Sequence, residues 1–299
     1  MMDPKLETLL KVTETLNFSR AAKQLSLTQP AVSHHINKLE EELGYKIFIR
    51  KKGELKLTSE GEIVVMYAKR IKSLYDKMQQ SLSDENSKIT KLTVGITHTA
   101  ESNYIAEVLA KYSSQNKGVT ITIISEASKI LYNMLLNYEI DLAIVEGTMK
   151  NPNINSLLLD TDYLVLVVSN NNHLIKKKIV TLDDLKKENM ILRLPSSGTS
   201  NLFISHLESL NMSIDEFNVI LEVDNIATIK DLIRRDFGVS ILARSACLNE
   251  LRKGKITILP IENLSMPRQI NILYNKDFKH TDTLKSIVQI YNDTVKLYK

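Results

Sequence analysis

The stretch Thr28–Gly44, Thr-Gln-Pro-Ala-Val-Ser-His-His-Ile-Asn-Lys-Leu-Glu-Glu-Glu-Leu-Gly, constrains this chain more than any other. It carries its own start and stop signals. Thr28 suits a helix N-cap, Pro30 fits the first turn, and Gly44 suits the left-handed residue that closes a helix. Between them Val32, Ile36, Leu39 and Leu43 recur at helical spacing and form one narrow apolar stripe. The opposite face carries Pro30, Ser33, His34, Asn37 and Lys38, while Glu40, Glu41 and Glu42 crowd the far end, where they would repel phosphate. A helix of this kind that enters DNA does so by its N-terminal half. Taken alone, the pattern also describes an ordinary amphipathic surface helix, so its neighbours decide.

Upstream, the spacing predicts a first helix over Lys5–Asn17, with Leu6, Leu9, Leu10, Thr13 and Leu16 on one face. Ser19 is expected to cap a short second helix, Arg20–Leu25, whose Ala21 and Ala22 permit close helix contact. With Ser26-Leu27-Thr28 as the turn, this is a helix-turn-helix. Downstream, an alternating strand over Tyr45–Arg50, a basic turn at Lys51-Lys52-Gly53-Glu54 and a returning strand Leu55–Leu57 read as a wing. A long helix then begins at Thr58 or Ser59, with Ser59 and Glu62 as an expected capping box. Val64, Ala68, Ile71, Tyr75, Met78 and Leu82 alternate by four and three residues, a seam for pairing with a second helix. The polar run Ser83–Lys91 reads as a hinge.

From Leu92 the pattern changes to alternating strands and helices, which predicts a mostly parallel α/β architecture. Strands are expected at 92–96, 120–124, 142–145, 157–159, 163–168, 190–194, 219–223, 239–242, 256–259 and 269–274, with a last helix over 282–298. Some two hundred residues exceed one small α/β unit and point to two lobes. The charge follows the same division. The formal excess of +4 lies in residues 1–91, and residues 92–299 balance to zero, a footprint suited to a polyanion in the first third. No run is apolar and long enough to span a membrane, and Met-Met-Asp-Pro-Lys has no signal-peptide core, so a cytoplasmic protein is expected. The single Cys247 excludes an internal disulfide.

Residues Leu6–Met66 closely resemble the LysR-type transcriptional regulators. Phe18-Ser-Arg-Ala-Ala-Lys-Gln-Leu-Ser26 is similar to that family's second helix. Thr28-Gln-Pro-Ala-Val-Ser33 with Ile36, Leu39-Glu40 and Glu42-Leu43-Gly44 is similar to its recognition helix, and Phe48, Arg50 and Leu57-Thr-Ser-Glu-Gly61 to its wing and linker-helix start. Asp141–Val145, Ser197-Gly-Thr199 and Phe237–Leu242 resemble its effector domain. The sequence departs from the pattern at His34, where relatives often carry Arg or Lys, and at the wing tip Gly53-Glu54.

The resemblance implies an N-terminal all-α winged helix-turn-helix with a long linker helix, then an α/β two-lobed effector domain like the periplasmic binding proteins. The expected divisions are 1–58 for DNA binding, 59–91 for the dimerisation helix and hinge, and 92–299 for effector binding. Lobe I would comprise 92–161 and 267–299, and lobe II 162–266. It further implies a homodimer or homotetramer that binds double-stranded promoter DNA and answers to a small-molecule effector: an amino acid, a carboxylate or an oxoanion. No cofactor, metal or membrane partner is implied.

Gln29, Pro30, Ser33, His34, Asn37 and Lys38 are the expected groove contacts, because Gln and Asn read adenine bidentately and Pro30 can touch a thymine methyl. Ser19, Arg20, Thr28, Arg50, Lys51, Lys52 and Lys56 suit backbone contact. In the second half, candidate effector contacts are Thr97, His98 and Thr99, Ser125 and Ser128, Glu146, Ser197 and Thr199, and Asp224 and Asn225, all at expected strand-to-helix loops. By the residues alone each Ser, Thr, Asp and Asn reads as a helix cap. The resemblance makes Thr97, Thr99, Ser197 and Thr199 the leading candidates. His98 reads equally as a ligand contact or a surface side chain, and Glu146 would oppose an anion or bind an amine.

Two other functions compete. An enzyme finds no support: there is no glycine-rich dinucleotide loop, phosphate loop or nucleophile elbow. A cytosolic solute-binding protein leaves the first sixty residues unexplained. A regulator that binds DNA without any effector remains the nearer alternative.

Overall fold

The computed structural model describes residues 2–51, 53–87, 90–149, 151–278 and 281–296. The chain divides into two compact units, residues 1–90 with 136–139, and residues 91–135 with 140–299.

The first unit opens with three helices, α1 (Pro4–Thr15), α2 (Phe18–Leu25) and α3 (Gln29–Leu43). Each start is capped by a side-chain oxygen. Asp3 takes the amide of Lys5, Asn17 that of Arg20, and Thr28 that of Ala31. The cap of α2 is therefore Asn17 and not Ser19, because the helix begins two residues earlier than the spacing suggests. Gly44, at φ 76°, closes α3 in the left-handed conformation that glycine adopts without strain. Ala21 and Ala22 are buried and let α1 and α3 close around a core of Leu9, Val12, Val32, Ile36 and Leu39.

Glu40 is not part of a phosphate-repelling end. It is buried, and its Oε1 accepts the amides of Ile47 at 2.8 Å and Phe48 at 3.3 Å while Oε2 meets Lys46 Nζ at 2.6 Å. Burial opposes its ionisation most strongly. The hydrogen bonds from Lys46, Ile47 and Phe48 together outweigh that and hold the carboxyl below its usual range. Because these two amides are spent on Glu40, the first wing strand starts late. The hairpin consists of β1 (Phe48–Lys51) and β2 (Glu54–Leu57), antiparallel, rather than a strand from Tyr45. Lys52 lies outside the described residues.

Helix α4 (Ser59–Ser87) follows. Its cap is Thr58, whose Oγ1 accepts the Gly61 amide at 2.8 Å, and Ser59 instead donates to Glu60, so the expected Ser59–Glu62 box does not form. Gly61 is sterically required: a Cβ there would sit 2.2 Å from the carbonyl oxygen of Ile47. The apolar seam also turns out differently. Val65 and Ala68 are buried in the helix-turn-helix core, and Val64 and Tyr75 pack against it. The exposed stripe is Ile63, Tyr67, Ile71, Leu74, Met78 and Leu82, so the expected seam keeps Ile71, Met78 and Leu82 but loses Val64, Ala68 and Tyr75 to the chain's own core. A 3.6-residue helix carries two apolar stripes side by side here, and spacing alone merges them.

The second unit begins with β3 (Thr90–Ile96), the short α5 (His98–Glu101), α6 (Ile105–Gln115), β4 (Val119–Ser125), α7 (Ser128–Leu136) and β5 (Leu142–Glu146). Next comes β6 (Ile154–Val168), one continuous strand where two were expected. The short α8 (Leu182–Leu185), β7 (Met190–Arg193), α9 (Gly198–Ser209), β8 (Val219–Val223), α10 (Ile226–Arg234), β9 (Ser240–Ala243), α11 (Leu248–Arg252) and β10 (Thr257–Leu259) make the second lobe. The returning strand β11 (Pro267–Asn275) and α12 (Thr281–Lys296) complete the first.

The order β10-β6-β11-β5-β3-β4 joins both lobes, with β9 also on β6 and β7 paired with β8. β3 with β5 and β7 with β8 are parallel. Every described pairing of the long crossovers β6 and β11 is antiparallel, so the architecture is mixed rather than mostly parallel. The reason lies in β6 and β11 running past each other between lobes, which no local βαβ pattern announces. One apolar cluster, with Ile96, Ile105, Leu109, Leu142, Ile272 and Tyr291, fills lobe I; another, with Leu166, Leu192, Phe203, Ile229 and Ile241, fills lobe II.

Candidate functional site: the start of α3 and the polar groups between the lobes

The start of α3 presents a polar surface. Gln29, Pro30, His34, Asn37 and Lys38 are exposed and Ser33 is half-buried. Gln29 Nε2 donates to Ser33 Oγ at 2.8 Å, so one face carries a pre-ordered amide and hydroxyl. His34 and His35 part company. His35 turns inward, its Nδ1 2.8 Å from the Oγ1 of buried Thr8. Thr8 gives its one proton to the carbonyl of Pro4, also at 2.8 Å, so His35 is the donor in that pair. Around this face Ser19, Arg20 and Thr28 are exposed, as are Arg50, Lys51 and Lys56 on the wing. Lys56 pairs with Glu54 at 3.1 Å, a carboxylate that competes with any phosphate for it.

The effector-like unit assembles its polar groups from distant segments. Thr97 caps α5, taking the Ala100 amide at 3.1 Å, and donates its own proton to Glu146 Oε1 at 2.8 Å. Ser197 caps α9, taking the Ser200 amide at 3.1 Å. Thr199, one residue into that helix start, is buried, and its Oγ1 accepts from Arg268 Nη1 at 3.3 Å. Arg268 Nη2 lies 3.5 Å from Asp162 and 4.0 Å from Glu146. Asp162 is itself held by Ser245, whose hydroxyl donates at 2.7 Å. Arg268 on β11 thus joins Thr97 and Glu146 of lobe I to Thr199 of lobe II, with Asp162 of β6 beside it.

Not every expected residue joins this network. Thr99 is buried in α5, and His98 stays half-exposed, facing Glu101 at 3.7 Å. Ser125 and Ser128 are half-buried at the end of β4 and the start of α7. Asn225 caps α10 through the Thr228 amide, and Asp224 accepts from buried Arg193 at 2.9 Å. The sequence reading missed Arg268, Asp162 and Arg193. A signal existed for the first: Arg268 is in phase with Ile270 and Ile272 on the inward face of its strand, where a lone charge demands partners. Cys247 offers no reactivity, since burial above all pushes its thiol up to about 12. Among the described residues no cluster of His, Cys, Asp or Glu could hold a metal ion, and no helix is long and apolar enough to cross a membrane.

Comparison with known proteins converges on one family. Residues 4–62 match the family described as bacterial regulatory helix-turn-helix protein, lysR family, and residues 86–296 match the LysR substrate binding domain. A transcriptional regulator of Methanocaldococcus jannaschii, MJ0300, is 28% identical over 291 residues, 95% of this chain and 97% of that protein. The transcriptional activator CmpR of Synechocystis is 26% identical over 91% of this chain and 88% of its own. Full-length CbnR, solved in complex with its target DNA, superposes with a TM-score of 0.69 at 19% identity, covering 98% of this chain and all 100% of that one. With both matched segments taken together, the chain is a LysR-type transcriptional regulator with a helix-turn-helix and an effector-binding domain, and it belongs to the LysR family.

Proposed function

We propose that this regulator is a cytoplasmic protein that pairs two protomers, seats the start of α3 in the major groove of promoter DNA, and changes its grip when a small molecule occupies the cleft between the effector lobes. In this reading residues 1–58 hold DNA, 59–91 pair the protomers and 92–299 sense the effector. The observation that carries it is the exposed row Gln29, Pro30, His34, Asn37 and Lys38, with Ser33 bound to Gln29, on a helix whose Val32, Ile36 and Leu39 are buried in the core while Leu43, the last of the expected stripe, is exposed. Such a row is the reading surface of a recognition helix. Arg20, Arg50 and Lys51 flank it as phosphate contacts, and the exposed stripe Ile63, Tyr67, Ile71, Leu74, Met78 and Leu82 of α4 is the pairing face. The protein acts by binding, with catalysis playing no part.

A mobility-shift titration on the DNA upstream of the gene, run over a salt series with unrelated competitor, tests this. Sequence preference that weakens steeply with salt is expected. Equal affinity for both DNAs would remove the assignment of α3 as a reading helix.

A further inference from the structure

Leu136–Glu139, which run from the last residue of α7 into the turn before β5, belong to the first compact unit, with the helix-turn-helix and α4. Tyr138 makes this turn at φ 59°. A side chain with a Cβ disfavours that left-handed conformation, and it persists only where its surroundings fix it.

One of those surroundings is Arg70 of α4, which is half-buried. Its Nε donates to Asn137 Oδ1 at 3.2 Å, and Asn137 Nδ2 in turn donates to Glu139 Oε1 at 3.3 Å. The guanidinium carbon of Arg70 also lies over the ring of Tyr67, 5.4 Å from its centre and one turn earlier on α4. Tyr67 belongs to the exposed stripe read above as the pairing face. Arg70 therefore meets the stripe with its charge over a ring and the turn with an N–H of its edge. The point charge of a lysine cannot reproduce that pair of contacts.

The turn is joined to lobe I by a short, firm connection. β5 begins five positions after Asn137. Just before it, Asp141 exchanges two bonds with Thr93: its amide donates to the Thr93 carbonyl, and its Oδ2 accepts the Thr93 amide, each at 2.8 Å. From there β3 and β5 run parallel, Val94 beside Leu142. At their far ends Thr97 donates to Glu146 at 2.8 Å. A shift of this strand pair carries the turn with it, by a route separate from the covalent chain between α4 and β3.

We propose that Arg70 is a positioning residue that links protomer pairing to lobe I. Its bond to Asn137 holds the guanidinium over Tyr67 and so fixes that ring for the pairing face. This rests on the reading of the α4 stripe as the pairing face and adds the part of the effector domain that acts on it. The link is reciprocal. Pairing steadies the turn at 136–139, and an event in lobe I that withdraws Asn137 loosens pairing.

The test follows the dissociation constant of the full-length protein by sedimentation equilibrium. Asn137→Ala, a change outside the stripe, should weaken pairing about 5- to 10-fold. Arg70→Lys should weaken it as much, and the double variant no more than either alone, because each removes the same contact. Asn137→Asp keeps an acceptor for Nε and should pair as the parent does, a rescue that a merely structural role for the turn would not give. Asn133→Ala, at an exposed position one turn earlier on α7, should change nothing. Amide exchange over residues 136–141 should be faster in Ile71→Asp than in the parent, and equal exchange overturns the link. Parent-like pairing in Asn137→Ala, or losses that add in the double variant, also overturns it. If Asn137→Ala does not fold, parent-like pairing in Arg70→Lys does the same. In each case the stripe remains the pairing face as long as Ile71→Asp weakens pairing. If Ile71→Asp pairs like the parent, the reading of the stripe fails and this link falls with it.

Discussion

The polar residues of α3 and those of the interlobe cleft are alike in kind and opposite in use. At the start of α3, Gln29, His34, Asn37 and Lys38 point outward, and the bond described among them and Ser33 is that of Gln29 to Ser33. In the cleft they hold one another: Thr97 to Glu146, Arg268 to Thr199, Asp162 to Ser245. A surface of the first sort is free to meet DNA and adds little to stability. A surface of the second sort contributes to the fold, and any ligand must displace bonds already made. The same comparison divides the first unit, where Glu40 stands on α3 yet behaves like a cleft residue, wholly committed inward.

Substitutions can break or sharpen this contrast. The largest effect is expected for Glu40→Ala, which leaves the amides of Ile47 and Phe48 buried without an acceptor and should cost about 3 kcal/mol by denaturant unfolding. Because the folded-state carboxyl titrates below its ordinary value, its contribution is fully present above the unfolded pKa and is lost as pH falls through the folded one. Acid unfolding of the parent should therefore show a component below about pH 4.5 that Glu40→Gln lacks. Ile71→Asp on the exposed stripe of α4 comes next. It should weaken protomer pairing by a few kcal/mol, roughly 100-fold, in sedimentation equilibrium, whereas an unchanged oligomer would detach that stripe from pairing. Thr97→Val should lower stability by about 1–2 kcal/mol through the lost cap and the lost bond to Glu146. Ser33→Ala and His34→Ala should leave the thermal midpoint within about 0.5 kcal/mol of the parent while weakening specific operator binding by about 1–3 kcal/mol each. If either lowered stability as Thr97→Val does, the contrast between the two surfaces would fail. Smallest of all, Arg50→Ala should reduce the salt slope of DNA binding by about one and leave sequence preference intact.

What was legible in the sequence was what neighbours in the chain decide. The cap at Thr28, the stop at Gly44 and the apolar stripe between them are local, and so were the two lobes' alternating strands and helices. Thr97, Ser197 and Asn225 were legible as helix caps for the same reason. What escaped was set by distant packing. The two apolar stripes of α4 could be told apart only once one of them had the helix-turn-helix core to cover. Glu40 read as an end-of-helix charge because the amides it binds belong to a strand that its own bonding delays. Arg268 and Thr199 are 69 positions apart, and Thr97 and Glu146 are 49 apart, so no motif spans them. Thr97, Glu146, Ser197 and Thr199 could be proposed one at a time; Arg268 showed in the sequence only as a charge in phase with Ile270 and Ile272, with nothing to name its partners.

Strand β6 is a mechanical element as well as a connection. Its fifteen residues extend roughly 50 Å, bonded to β11 along the first part and to β9 and β10 along the last. Paired strands twist by an amount that ranges over roughly 10–35° from one neighbour to the next, so the mutual rotation of the elements at its two ends depends on the twist the ladder accumulates. The register of β6 against β11 shifts where Ile270 and Asn271 face Asp160 and Leu158, so that Leu159 of β6 is the extra residue, and Ile270 stands two residues from Arg268. The lobes are therefore joined through a twisted ladder whose twist is locally increased at that bulge, close to the strand position of Arg268.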